Sequence, residues 1–199
     1  MLYVLWGVRL TYRIGRRNFR KSEEDPRYKA WRDSWKYFYL RSYFQVYMLQ
    51  GLLMIVVGSP LLIVGMTGAG MMAQSILVYL GLGVWVLGYF FEVVGDYQLD
   101  RFIGKKKRGE IEKNIMDEGL WRYTRHPNYF GEVTMWWGIW LMVATLPLGF
   151  IALISPLMIT FLILKVSGIP MLEEQFAGDS EWEAYKVKTS AFIPWLRRG

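Results

Sequence analysis

Fifty consecutive residues, Ser42 to Phe91, contain no Asp, Glu, Lys, Arg or His, and a second run of 32, Val133 to Leu164, is equally free of them. A helix rises about 1.5 Å per residue, so roughly 20 apolar residues cross a hydrocarbon core about 30 Å thick. The first run therefore holds two spans, near 42–66 and 72–94, separated by the Gly-rich turn Thr67–Gly70. The second run is too long for one span and short for two, and Leu146-Pro147-Leu148-Gly149 interrupts its middle. Read as a hairpin it gives spans near 129–146 and 148–166, with Glu132 and Lys165 inside the membrane or at its edge. Met1–Leu10 is apolar but too short to span. The expected fold is all-α, an integral membrane helical bundle with four transmembrane helices, a partial N-terminal helix and cytoplasmic-side interfacial helices. No repeat or linker divides the chain, so 1–199 is expected to be a single domain.

The charges support this topology. Of the 24 Lys and Arg residues, 11 lie in Arg9–Arg41, 8 in Arg101–Arg125 and 5 in Lys165–Arg198. With four spans every one of them falls on the same face of the bilayer, as cytoplasmic loops require. A formal net charge of +7 is then a topological signal, and no nucleic-acid partner is expected. The chain has no Cys and one His, which excludes disulfides, thiolate nucleophiles and Cys-ligated metals and argues against a His-rich metal site. The opening Met-Leu-Tyr-Val-Leu-Trp-Gly-Val has neither a basic lead nor a small-residue cleavage site. It reads as the end of a helix, not as a signal peptide.

Ionisable groups in or beside spans are costly and usually functional. Glu92, Asp96 and Asp100 recur every four residues on one helix face. Glu92 and Asp96, among Phe90-Phe91 and Val93-Val94, are expected to be buried against a partner, and Asp100 to be solvated. The densest constellation runs from Gly119 to Glu132 and includes Arg122, Arg125, His126, Pro127, Asn128 and Tyr129. Two guanidiniums three residues apart suit phosphate or carboxylate. Pro127 can open a helix, which puts Asn128 and Glu132 one turn apart where a span enters the membrane. The alternative is an aromatic, basic interfacial belt, but a belt needs no Asn and Glu at helical spacing. Thr67-Gly68-Ala69-Gly70 follows no strand and is a turn. Gly104–Gly109 is a solvated basic loop, and Trp136, Trp137 and Trp140 form an aromatic helix face.

Gly119–Glu132 resembles the membrane reductases grouped with the C-terminal domain of steroid 5α-reductase, and more closely a bacterial-type branch described only as a domain of unknown function. The likeness extends to Gly95–Leu99, to Val166–Glu174 and from Tyr185 to Trp195, and more loosely to Arg9–Asn18 and Trp31–Gln50. It implies an all-helical enzyme that holds NADPH in a cavity open to the cytoplasm. Such an enzyme reduces a carbon–carbon double bond conjugated to a carbonyl in a steroid, sterol or related lipid. Carried over by position, Asn128, Tyr129 and Glu132 fall at the nicotinamide-ribose region, Arg122 and Arg125 near the phosphates with His126 beside them, and Asp96 where an acidic residue orders the site. Lys165 replaces an Arg of the steroid reductases, and Arg9, Arg16 and Asn18 fall near adenosine-phosphate contacts. No catalytic proton donor is identified. The position of the acid in the sterol-reductase branch falls near Ile169, which cannot donate, and Gln45, Gln50 and Tyr12 are the substitutes.

Two alternatives belong to other classes. One is an S-adenosylmethionine-dependent enzyme resembling isoprenylcysteine carboxyl methyltransferase, which shares the Arg-His-Pro-x-Tyr core. Against it, the Arg that family carries before its paired glutamates, expected near Ser167–Ile169, is absent. The other is a non-catalytic lipid-binding membrane protein. Partners expected from the sequence are membrane lipids and a lipid or steroid substrate, with no metal.

Overall fold

The computed structural model of the protein describes residues 1–18, 26–68 and 75–197, and every regular element among them is helical. The chain forms two compact units, Met1–Met54 and Ile55–Gly199. The first contains α1 (Leu2–Asn18) and α2 (Pro26–Ser34). It continues with α3 (Phe38–Arg41), which runs through a π-helical stretch, Ser42–Met48, into α4 (Leu49–Val57). The partial helix expected in Met1–Leu10 is the first part of α1, which carries on past Arg9, Arg13 and Arg16 because no proline interrupts it.

The second unit contains α5 (Ser59–Thr67), α6 (Ile76–Lys107), α7 (Pro127–Val143) and α8 (Ile154–Phe161). A π-helical stretch Leu162–Val166, α9 (Ile169–Glu174) and α10 (Ser180–Lys188) follow. Among the described residues three stretches are long and apolar enough to cross a membrane: Phe38–Val57, Ile76–Lys107 and Ile151–Glu174. α7 has 17 residues, at the short end of what a bilayer needs.

Boundaries differ from expectation for identifiable reasons. The span near 42–66 begins earlier, at Phe38, and is broken at Gly58, after which Pro60, with no N–H to offer, sits in the first turn of α5. Thr67 ends α5 and Gly68 takes φ 81°, whereas the rest of the expected turn and residues 72–74 lie outside the described residues. The span near 72–94 continues to Lys107 as one helix, so Gly104–Lys107, expected in a basic loop, form its last turn instead. The Ser75 hydroxyl caps its start by accepting from the Leu77 N–H, and Lys105, Lys106 and Lys107 suit its negative end. Gly109, at φ 71°, lets the chain leave. The hairpin near 129–146 and 148–166 has its turn at Leu146–Gly149, as expected, but its arms are α7 and the shorter α8 with its π extension.

The contact that positions the site is the antiparallel pair α6–α7. A Cβ on Gly81 would lie 2.5 Å from the Gly138 carbonyl oxygen, and one on Gly88 2.6 Å from that of Gly131. On Gly131 it would lie 2.5 Å from the Glu92 nitrogen. These are backbone contacts that only glycine permits, the packing mode of helices that lack a hydrophobic drive in lipid. Gly81, Gly88 and Gly95 recur every seven residues on α6, as do Gly131 and Gly138 on α7. The seven-residue period keeps each row on one face. Farther from the polar end, Ile63, Val143, Leu146 and Ala152 form one buried cluster. Val133, Ile163 and Ile169 form another, with Tyr129 and Trp137 packed against it.

Candidate functional site

The glycine row ends at Gly95, where a Cβ would meet Pro127 Cγ at 3.1 Å and the Asn128 nitrogen at 3.3 Å. This close approach brings the polar end of α6 against the start of α7. Asn128 Nδ2 donates to Asp96 Oδ1 at 3.2 Å, and Asn128 Oδ1 accepts the Tyr129 N–H at 3.1 Å, satisfying a first-turn donor of α7. One amide hydrogen of Asn128 remains for another acceptor. Asp96 and Glu92 are buried and Asp100 is exposed, the division anticipated from their flanking residues. Tyr129 and Glu132 are half-buried on α7; Tyr129 stacks on His126 and packs against the Val133, Ile163 and Ile169 cluster, while Asp96 and Asn128 pair where the two helices converge.

The loop before α7 is fixed from several sides. Gly119 takes φ 60° and passes so close to the Gln98 amide that a side chain there would collide with it, while Gln98 Oε1 accepts the Leu120 N–H at 3.0 Å. Trp121 Nε1 donates to the Gly95 carbonyl at 3.0 Å. The C-terminal segment closes over the same loop: the Arg125 N–H donates to Ser190 O at 2.9 Å, Thr124 Oγ1 to Phe192 O at 2.8 Å and the Trp195 N–H to Tyr123 O at 2.9 Å. The Tyr185 hydroxyl donates to Trp121 O, and burial pushes its pKa up, keeping it a donor.

The two arginines expected at phosphates differ in setting. Arg122 is exposed, on a 3₁₀ turn Gly119–Arg122. Arg125 is 8% exposed: its Nε donates to Glu173 Oε1 at 2.9 Å, its Nη1 to Lys186 O at 3.1 Å and Thr189 O at 2.7 Å, and its guanidinium lies over Trp182. It braces the loop from within. His126, 1% exposed, shares Glu173 Oε1 through Nε2 at 2.9 Å and stacks on Tyr129. Burial lowers its pKa, the Glu173 hydrogen bond and charge oppose that, and the Arg125 charge adds to it, with a net downward shift. The imidazole is therefore neutral near pH 7. Beside a carboxylate its Nε2 is assigned the proton, which leaves Nδ1 as a buried acceptor with no hydrogen-bond partner among the described residues.

Lys165 is exposed on the π-helical stretch after α8. In the first unit Arg9 is half-buried and Arg16 exposed on α1, and the Asn18 side chain lies outside the described residues. Tyr12, Gln45 and Gln50, the candidate proton donors, are all exposed in that unit. Sequence reasoning missed Glu173 as the shared acceptor of Arg125 and His126. It also missed the glycine rows, whose seven-residue spacing was a readable signal.

Against known proteins, the family model described as "Protein of unknown function (DUF1295)" matches residues 1–189. A very-long-chain enoyl-CoA reductase of Dictyostelium discoideum is 32% identical over 78 residues, 39% of this chain and 25% of the relative. An uncharacterised protein of Schizosaccharomyces pombe is 25% identical over 161 residues, 72% of this chain and 46% of the relative. The chain thus spans less than half the length of either curated relative. No solved structure matches it. A family match over nearly the whole chain leads to one conclusion: the chain belongs to the DUF1295 family.

Proposed function

We propose that the protein is a membrane oxidoreductase that reduces a carbon–carbon double bond conjugated to a carbonyl in a lipid, with NADPH as hydride source. The observation that carries the reading is the hydrogen bond between the buried Asp96 and the half-buried Asn128 at the convergence of α6 and α7. It is supported by the similarity to an enoyl-CoA reductase, whose named substrate is a conjugated acyl thioester. Steroids, sterols and unsaturated acyl thioesters share the conjugated carbonyl, and all fall within the proposed substrate class.

The residues present fit the nicotinamide half of the cofactor. Asp96 orients the Asn128 amide, whose remaining N–H can hold a carboxamide oxygen, and the half-buried Tyr129 and Glu132 can take the ribose hydroxyls. Arg122 is the exposed cation of the loop available to a phosphate, with Lys165 on the next helical segment, whereas Arg125 and His126 hold the loop in shape through Glu173. When bound, the cofactor supplies hydride to the β-carbon of the substrate, and a proton must reach the α-carbon. The protein's part is to orient the ring, to exclude water through the helix contacts around Gly88 and Gly131, and to stabilise the developing oxyanion. In this reading four spans, with α7 as the third, put every basic segment on the cytoplasmic side, facing the soluble cofactor.

The test is direct. Detergent-purified full-length protein is heated with and without saturating NADPH, and in parallel with S-adenosylmethionine, and NADPH absorbance is followed with a trans-2-enoyl thioester and with an enone steroid. NADPH should raise the melting temperature and be consumed with one of the substrates. Arg122→Ala should weaken binding tenfold to a hundredfold, for a charge-assisted hydrogen bond of about 1.5–3 kcal/mol, and Asn128→Ala about twofold to tenfold, for a neutral one of about 0.5–1.5 kcal/mol. Equal melting with and without NADPH would refute the proposal, and stabilisation by S-adenosylmethionine alone would replace it with methyl transfer.

A further inference from the structure

A hollow of about 490 Å³ lies on the far side of the Arg125 loop, between the end of α10 and the C-terminal segment. Its polar lining consists of Arg125, Lys186, Lys188, Thr189 and Ser190, and among the described residues no carboxylate side chain takes part. Arg125 spends Nε on Glu173 and Nη1 on two backbone carbonyls. Nη2 is the donor these bonds leave over. Thr189 is 3% exposed, and its hydroxyl has no hydrogen-bond partner among the described residues. Lys186 is 3.5 Å from Glu183, a loose exposed pair that screens it little. Such a lining suits a singly or doubly charged oxyanion.

The rim is apolar and points outward. Val187, Ile193, Trp195 and Leu196 are 73%, 63%, 69% and 76% exposed, and all four line the hollow. Four large apolar side chains in water would be a liability. Around a basic hollow, in a chain with helices long enough to cross a bilayer, they have the composition of an interfacial anchor: Trp and aliphatic groups at headgroup depth, with Lys and Arg beside them.

We propose that this hollow binds the headgroup of an anionic membrane phospholipid. The phosphate sits between Arg125, Lys186 and Lys188, and Ile193, Trp195 and Leu196 lie among the proximal acyl carbons. The C-terminal segment is thereby a lipid-seated strap, and since that segment also holds Thr124 and Arg125, leaflet composition reaches the loop that leads into α7. The inference requires only that the chain sits in a membrane and stands apart from the reductase reading.

The experiment is native mass spectrometry of the detergent-purified full-length chain titrated with dioctanoyl phosphatidylglycerol, dioctanoyl phosphatidylcholine or inorganic phosphate, for the native chain and for Lys186→Ala/Lys188→Ala. Both lysines are exposed, so their loss spares the fold, and an unchanged melting temperature checks this. The expected result is phosphatidylglycerol adducts preferred over phosphatidylcholine by about tenfold, weakened about fivefold per lysine removed, at roughly 1 kcal/mol per cation near an anionic headgroup. Ile193→Ser/Leu196→Ser should weaken phosphatidylglycerol binding as well. Equal affinity for the two lipids, or adducts undiminished in the double-lysine variant, overturns the proposal. Inorganic phosphate displacing the lipid at matched concentration, with no effect of the rim variant, overturns it in favour of a soluble phosphate ligand.

Discussion

Gly131→Ala isolates the contact on which the site depends. The new methyl carbon would lie 2.5 Å from both the Glu92 nitrogen and the Gly88 carbonyl oxygen, and 3.0 Å from Glu92 Cα, all of them backbone atoms that cannot rotate away. Restoring ordinary separations of about 3.5 Å means parting α6 and α7 by roughly 1 Å. Overpacking of this kind costs about 1–3 kcal/mol, and three rigid neighbours put it at the upper end. Alanine returns about 1 kcal/mol through its better helix propensity, so the net loss is about 2 kcal/mol. Gly83→Ala is the matched control: it lies in the same kind of helix with nothing within 4 Å, and should gain about 1 kcal/mol. The same 1 Å would carry Asn128, close along α7, from 3.2 Å to roughly 4 Å from Asp96, beyond hydrogen-bonding reach. The assay is SDS-induced unfolding in mixed micelles, read by circular dichroism, with an NADPH titration on the folded protein. Gly131→Ala should unfold at lower SDS and bind NADPH more weakly, while Gly83→Ala should unfold at higher SDS and bind normally. If the two alanines shift the midpoint together, the close approach is not what holds this pair, and the account of the site fails with it.

Other outcomes follow from the same geometry. Glu173→Gln leaves the buried Arg125 without its carboxylate and should cost about 3 kcal/mol in the same unfolding assay; a loss under about 0.5 kcal/mol would show that the two backbone carbonyls hold Arg125 unaided. His126 has a folded pKa below its ordinary 6.5, so the unfolded chain takes the proton first. Its contribution is complete above about pH 6.5 and declines as the pH falls toward the folded pKa, by at most about 1.36 kcal/mol per pH unit. Unfolding midpoints at pH 7.5 and 5.5, compared between the native chain and His126→Phe, should differ in that direction, and parallel pH profiles would refute it. Asp96→Asn keeps shape but exchanges a carboxyl oxygen for an amide nitrogen beside Asn128, so NADPH affinity should fall at least fivefold with little change in the unfolding midpoint; the reverse pattern would make the pair purely structural.

The helical class and the apolar runs were legible because charge exclusion is a local property of the letters. The same was true of Glu92 and Asp96 against Asp100, where flanking Phe and Val on one side and Arg101 on the other foretold burial and exposure. The break at Gly58 was less visible, since hydropathy does not register a missing N–H at Pro60, and α6 outran its apolar part because a helix, unlike a span, need not stop where the charges begin. Arg122 and Arg125 looked alike as a pair of cations. Only the fold reveals that a carboxylate 48 residues on and two carbonyls from the end of α10 occupy the second of them. The glycine rows stood in plain view, but a period of seven acquires meaning only when a second row exists to meet it.

The hydrogen bonds by which the C-terminal segment closes the loop before α7 join residues 64 to 72 positions apart. During synthesis, the segment from Trp121 to Arg125 therefore leaves the ribosome well before the strands of chain that will hold it. The helices can insert in order while this loop is held only by Gln98 and the Gly95 carbonyl, and it gains its remaining bonds only when Tyr185 and Phe192 arrive. A nascent chain stalled short of Thr189 should thus be threaded into the bilayer yet unable to seat a ligand at Asn128, so that competence is the last thing the growing polypeptide obtains.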